Sequence, residues 1–163
     1  MEKAGNPKEA AAVYQNAISL DDTFIPAYIN LGAVYLNHLN KPREALDIYH
    51  RALDKAPENP KIHNNFGVTF MALRDYERAE QELIRASELD PKFLDPLYNL
   101  ACLFSQKGET ATALSWLKKA HALGGEEIIH WASKDQDLVG LHKLQEYQEF
   151  LRTALPDQGK IRK

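Results

Sequence analysis

Alanine recurs along this chain at a nearly constant interval, and that recurrence constrains the fold more than any other feature. Ala10, Ala45, Ala79 and Ala113 are spaced by 35, 34 and 34 residues. Each is followed seven positions later by another alanine, and a large apolar residue stands between the two: Tyr14, Tyr49, Leu83 and Leu117. A period of this length predicts a stack of equivalent structural units, each contacting its neighbours in the same way.

Both halves of each unit have helical periodicity. Tyr28, Leu31, Gly32 and Tyr35 follow an i, i+3, i+4, i+7 pattern, and the second half continues it from Ala45. Each unit is therefore predicted to be an antiparallel pair of helices. Glycine costs about 1 kcal/mol relative to alanine within a helix. We expect the recurrent small residue, at positions 32, 67 and 101, to lie where two paired helices come close. The extra residue of the first interval is expected in the turn between Gly32 and Ala45.

These spacings resemble the tetratricopeptide repeat. The first unit reads Tyr28-x2-Leu31-Gly32-x2-Tyr35, then Ala45-x3-Tyr49-x2-Ala52-x4-Pro57. The second unit has His63 in an aromatic position, and the third has Ala101 for glycine and Gly125 for proline. The resemblance implies an all-α, right-handed superhelical solenoid of antiparallel helix pairs. Its expected repeats span residues 25–57, 60–91 and 94–125, within an array that covers residues 1–125.

The two ends depart from the repeat. Residues 6–22 match only the second helix of a unit, so we expect either an array that begins with half a repeat or, preferably, a fragment of a longer protein. An exposed apolar face there could also pair with a second copy, giving a homo-oligomer. Residues 126–155 are predicted to form a helical cap over the last repeat, and residues 156–163 a basic tail.

The expected ligand site is the concave groove, which the resemblance assigns to the first helix of each unit. Asn30, Asn65 and Asn99 stand two residues before each small residue. An asparagine amide donates and accepts, so the row could pair with a peptide backbone, like the similar ladder of O-linked N-acetylglucosamine transferases. The alternative is that these amides bond neighbouring helices or turns. The predicted groove residues are Ile29, Asn30, Ala33, Lys61, Asn64, Asn65, Val68, Met71, Tyr98, Asn99 and Cys102.

Other chemistry is not indicated by the sequence. Asp135 and Asp137 could hold a divalent metal, but an aspartate before an apolar helical segment is more often an N-cap. We expect no catalytic residue, no metal site and no cofactor. The net charge of −3 does not favour nucleic acid. No apolar run is long enough to span a bilayer. The single cysteine and the absence of a signal-like segment favour the cytoplasm.

The sequence therefore predicts a non-enzymatic scaffold that binds a peptide or helix of a partner protein. Two alternatives remain open. The chain could be the substrate-selecting repeat region of a larger enzyme such as a glycosyltransferase, or it could be a self-assembling module.

Overall fold

The computed structural model describes residues 6–154 and is helical throughout that range, apart from short turns. Nine α-helices and one 3-10 helix follow one another within residues 6–154: α1 (Pro7–Leu20), α2 (Ile25–Asn37), α3 (Pro42–Lys55), α4 (Pro60–Ala72), α5 (Tyr76–Leu89), α6 (Leu94–Gln106), α7 (Thr110–Gly124), α8 (Glu126–Ala132), η1 (Gln136–Leu141) and α9 (Gln145–Ala154). The all-α fold of consecutive helix pairs is confirmed. Within these residues no helix is both long and apolar enough to cross a membrane.

The chain forms two compact units that divide after Asp90. In the first unit each helix from α1 to α5 packs on the next, and α2 also contacts α4 directly. In the second unit α6 pairs with α7, η1 packs on both, and α8 packs on α7 and α9. The expected cap from residue 126 therefore shares a unit with the third helix pair. The expected basic tail, 156–163, lies outside the described residues.

The recurrent small residues lie at close contacts between paired helices. Gly32 of α2 faces the ring of Tyr49 on α3, where any added side chain would overlap that ring. Gly67 of α4 faces Leu83 on α5: a Cβ built there would lie 2.7 Å from the Leu83 Cγ. Alanine at these positions would crowd fully buried side chains, which explains why a helix-weakening residue stands there.

The turn inside each helix pair carries one residue with a left-handed backbone: Asn40, Arg74 and Gly108 have φ of 51°, 61° and 79°. The first of these turns spans residues 38–41, against 73–75 and 107–109 in the other pairs. The extra residue of the repeat therefore lies in the turn predicted to contain it. It leaves α2 and α3 in the same register as the other pairs.

Candidate functional site

Three of the predicted groove residues come together in a cleft between α2 and α4, which we call the α2–α4 cleft. Its volume is about 450 Å³. The lining residues are Ile25, Pro26, Ile29, Asn30, Asn59, Pro60 and Lys61. Four of these are apolar, and the other three supply two amides and one ammonium group. A cleft of this kind can hold an apolar side chain while polar groups at its edge bind a backbone or a charge.

Local sequence fixes the wall of the cleft on the α4 side. The Asn59 side chain accepts hydrogen bonds from the backbone N–H groups of Lys61, at 3.0 Å, and Ile62, at 3.4 Å. Pro60 occupies the first helical position, where its missing N–H has no cost. The groove prediction omitted Ile25, Pro26, Asn59 and Pro60. An asparagine followed by proline is nevertheless a recognisable helix start.

Two of the three polar groups at the edge of the cleft are open to solvent. Asn30 is exposed, and its amide has no hydrogen-bond partner among residues 6–154. Lys61 is also exposed and forms no ion pair within the described chain. It lies in the first turn of α4, where the helix dipole adds positive potential. This edge therefore favours a carbonyl or carboxylate oxygen.

Asn65 differs from Asn30, although the two occupy equivalent positions in the repeat. Asn65 is half-buried, accepts a hydrogen bond from the Asn64 amide at 3.2 Å and interacts with the Tyr49 hydroxyl. Tyr49 in turn donates to the Ile29 carbonyl oxygen at 3.4 Å. Burial raises the pKa of the Tyr49 hydroxyl, so the group remains a donor. Asn65 thus links α4, α3 and α2, as the alternative interpretation of the asparagine row expects.

Three of the predicted groove residues are buried, so their predicted place in an open groove was wrong. Asn64 is 4% exposed, Met71 8% and Cys102 4%. The prediction took the first helix of each repeat to leave one side open to the groove. However, α4 contacts α2, α3 and α5, and η1 covers part of α6. Ala33 on α2 and Val68 on α4 are half-buried, as are Tyr98 and Asn99 on α6.

In the second unit the predicted residues Tyr98 and Cys102 converge on Asp135. The Tyr98 hydroxyl donates to the Asp135 carboxylate at 2.8 Å, and the Cys102 Sγ lies 3.8 Å from the same oxygen. Asp135 also accepts from the Asp137 backbone N–H at 2.9 Å and is the N-cap of η1, the role that the sequence favoured for one of these two aspartates. Burial is the main cause that raises the pKa of both Tyr98 and Cys102, and the nearby carboxylates add to it.

The ring of Tyr98 also meets the edge of Trp131, with centroids 5.8 Å apart. Together, the hydroxyl bond and the ring contact fasten α6 to the segment that includes α8 and η1. These side chains therefore act in the packing of the second unit.

Comparisons with known proteins agree with this architecture. Two family models described as tetratricopeptide repeat match residues 2–60 and 36–103. The human protein O-mannosyl-transferase TMTC3 is 33% identical over 103 residues, which is 63% of this chain and 11% of that protein. The repeat-containing protein YpiA of Bacillus subtilis is 28% identical over 123 residues, 76% of this chain and 29% of that protein. This chain thus spans only a small part of both relatives.

Solved structures share the fold. MamA matches with a TM-score of 0.68 at 17% identity, covering 88% of this chain and 84% of that chain. YrrB, described as a tetratricopeptide repeat protein with an unusual peptide-binding site, matches with a TM-score of 0.62 at 22% identity. The YrrB match covers 93% of this chain and 79% of that chain.

Proposed function

The chain belongs to the tetratricopeptide repeat family, and from that premise we propose that it is a non-enzymatic interaction module that binds a peptide of a partner protein in the α2–α4 cleft. Tetratricopeptide repeats commonly serve as protein-interaction modules, so a protein partner is expected. The observation that carries the specific site is the convergence of Ile29, Asn30 and Lys61 on one cleft.

The chemistry of the cleft defines the proposed ligand. Ile25, Ile29 and Pro60 offer apolar surface for one inserted side chain. Asn30 offers both a donor and an acceptor, so it can pair with one peptide unit of an extended chain. Lys61, together with the first turn of α4, favours an acidic side chain or a carbonyl oxygen beside that peptide unit. We therefore expect extended peptides with an apolar anchor next to an acidic residue.

Selection of peptides from a displayed random library against the full chain tests this proposal. Selected peptides are then titrated by calorimetry against the Asn30→Ala/Lys61→Ala double variant. Both residues are exposed, so the variant should fold normally. Loss of two polar contacts of about 1 kcal/mol each predicts roughly tenfold to thirtyfold weaker binding.

The matched control is Asn16→Ala/Lys8→Ala, which removes the same two chemical groups from exposed positions on α1. Its affinity should equal that of the unmodified chain. Equal affinity of the Asn30→Ala/Lys61→Ala variant and the control would rule out the α2–α4 cleft as the peptide site.

The similarity to an O-mannosyl-transferase favours a second candidate, in which this repeat region forms part of a larger enzyme and selects its protein substrates. The match to that enzyme spans 103 residues of this chain and 11% of the enzyme's length. Determination of the full reading frame tests this candidate. A transferase domain encoded on either side supports it, and a frame that ends at the repeats excludes it.

A further inference from the structure

The ring of His63 on α4 joins two other parts of the first unit through its two nitrogens. Nδ1 lies 2.6 Å from the Glu82 carboxylate on α5, and Nε2 lies 2.9 Å from the Pro57 carbonyl oxygen. The ring is buried. Both partners are acceptors, so each ring nitrogen must carry a proton for both bonds to form. The two bonds therefore require the imidazolium form of His63.

Pro57 lies in the turn between α3 and α4, and this turn carries one wall of the α2–α4 cleft. The turn spans residues 56–59. Its last residue, Asn59, donates its backbone N–H to the Ala56 carbonyl oxygen at 3.2 Å and also lines the cleft. The bond from His63 holds the same turn against α4. The position of the cleft wall is therefore linked to the protonation of a buried ring.

The preceding repeat makes the same contact with a different side chain. Tyr28 occupies the position of His63 in the first repeat, and its hydroxyl donates to the Asp22 carbonyl oxygen at 3.1 Å. In both repeats the accepting carbonyl stands six residues before the donor, in the turn that precedes the helix. Tyrosine does not change charge near neutral pH, whereas histidine does. The chain therefore contains a permanent and a titratable form of one turn contact.

Loss of a proton from His63 affects its two bonds unequally. A neutral imidazole has one N–H, and a hydrogen bond to a carboxylate is about twice as strong as one to an uncharged acceptor. The remaining proton therefore stays on Nδ1, which faces Glu82. Nε2 then presents a lone pair to the Pro57 carbonyl oxygen, and two acceptors 2.9 Å apart repel each other. The turn should move away from α4 when His63 becomes neutral.

The charged groups around His63 come from α5, from the turn and from α4 itself. The bond to Glu82 is the main cause that raises the pKa of the ring; burial opposes it, and the turn carbonyl adds to it. Arg85 on α5 disfavours the imidazolium, but its guanidinium lies 3.7 Å from the Glu58 carboxylate in the turn. Lys61, the one lysine of α4, is exposed. α2 and α3 also pack on α4, but within the described chain they contribute no charged partner to the ring.

We propose that His63 makes the α2–α4 cleft sensitive to pH. The protonated ring holds the α3–α4 turn in the position that the structure shows, and loss of the proton releases the turn and weakens peptide binding. Peptide affinity should therefore rise as pH falls through the titration of His63. The effect on affinity rests on the proposed function of the cleft, whereas the movement of the turn does not. The two consequences can be measured separately.

The first measurement uses the full chain without peptide, labelled with nitrogen-15 and followed by NMR from about pH 5.5 to about pH 9. The ring nitrogens of His63 should both be protonated at low pH, with a midpoint above the ordinary histidine value of about 6.5. The backbone amides of Glu58 and Asn59 should shift with the same midpoint. The amide of Thr23, in the equivalent turn that Tyr28 holds, should not.

Three variants assign the transition. Glu82→Gln removes the charge that favours the imidazolium, so the midpoints of His63 and of the Asn59 amide should move together to lower pH. His63→Tyr copies the first repeat and should abolish the transition at Asn59. The matched control is His38→Tyr, the same change at an exposed histidine in the turn between α2 and α3, and it should leave the transition unchanged.

Peptide affinity is then measured by calorimetry with a selected peptide that is acetylated and lacks histidine. Titrations are made at about pH 6 and at one pH unit above the measured midpoint of His63. Loss of one turn contact predicts roughly threefold to tenfold weaker binding at the higher pH. His63→Tyr should remove this difference, and His38→Tyr should retain it.

Two results would overturn the proposal. The first is an Asn59 amide that does not follow the titration of His63, or a midpoint that Glu82→Gln leaves unchanged. The second is a peptide that requires Asn30 and Lys61 yet binds equally at both pH values, which leaves the proposed function intact and excludes its regulation. If no selected peptide requires those two residues, the proposed function fails, and the titration of Asn59 alone upholds or overturns the pH-dependent turn.

Discussion

Replacement of Gly67 by alanine separates the helix propensity of this position from its packing. In an open helix the change would stabilise the protein by about 1 kcal/mol. Here the new Cβ would lie 2.7 Å from the Cγ and 2.9 Å from the Cδ2 of Leu83, and 3.2 Å from the carbonyl oxygen of Ala79. Leu83 is fully buried, and overpacking typically costs about 1–3 kcal/mol. The expected net effect is a loss of about 1 kcal/mol.

Urea unfolding followed by circular dichroism measures this change. The midpoint should fall while the slope with denaturant stays constant, because the surface exposed on unfolding is nearly unchanged. The melting temperature should fall by about 2–4 °C for a chain of this size.

The second half of the experiment repeats the substitution in a Leu83→Ala background. Removal of the leucine side chain costs about 2–5 kcal/mol by itself but also removes the two closest contacts of the new Cβ. Gly67→Ala should then become neutral or stabilising by up to about 1 kcal/mol. The two substitutions should therefore couple by about 1–2 kcal/mol. If Gly67→Ala stabilises equally in both backgrounds, the close approach of α4 to α5 is not the reason for glycine here.

Three further predictions concern the pH response, a turn and the thiol. Both ring nitrogens of His63 face acceptors, with Nδ1 at 2.6 Å from Glu82 and Nε2 at 2.9 Å from the Pro57 carbonyl oxygen, and the bond to Glu82 is the main cause that raises the His63 pKa. This stabilisation is complete below the unfolded pKa of about 6.5 and is lost as pH rises through the higher folded pKa. His63→Phe should therefore flatten the dependence of melting temperature on pH above about 6.5. If the melting temperature of the variant depends on pH as that of the unmodified chain does, protonation of His63 does not contribute to stability. Arg74→Gly should raise the free energy of unfolding by about 0.5–1 kcal/mol, measured in urea, because the residue has a φ of 61°; a loss of stability would contradict this reading of the turn. The buried Cys102 thiol, whose pKa is raised by burial, should react with Ellman's reagent only when the second unit opens, so fast labelling of the native chain would contradict its placement.

The repeat pattern predicted the helix pairs well because it encodes contacts between adjacent helices. The spacing of Gly32 and Gly67 from the alanines predicted that each glycine contacts the paired helix of its own repeat. The extra residue of the first repeat lies in the expected turn between α2 and α3. An N-cap could also be expected at Asp135 or Asp137, since capping depends on a few neighbouring residues, and Asp135 is the one that caps η1. The glycine contacts, the turn and the N-cap were predictable because each depends on nearby residues or on a pattern that repeats along the chain.

The site was only partly predictable, because access to solvent depends on helices that are distant in sequence. Asn64 stands three residues before Gly67, as Ile29 stands three residues before Gly32, but Asn64 is buried whereas Ile29 is half-buried. The helix that carries Asn64, α4, packs against three other helices of the first compact unit. The equivalent Asn30 and Asn65 likewise differ because Tyr49 lies within reach of Asn65. The repeat period also gave no indication that Asn59 lines the α2–α4 cleft, because this residue lies in the turn between two repeats.

The most direct test of the proposed function is a map of peptide binding by NMR. Amide spectra of the labelled chain are recorded with and without a peptide selected from the displayed library. Binding in the α2–α4 cleft predicts that the largest shift changes occur at Ile29, Asn30, Lys61 and their neighbours, and that the Asn30→Ala/Lys61→Ala variant loses them. Shift changes confined to α3 and α5, with the cleft residues unaffected, would contradict the account.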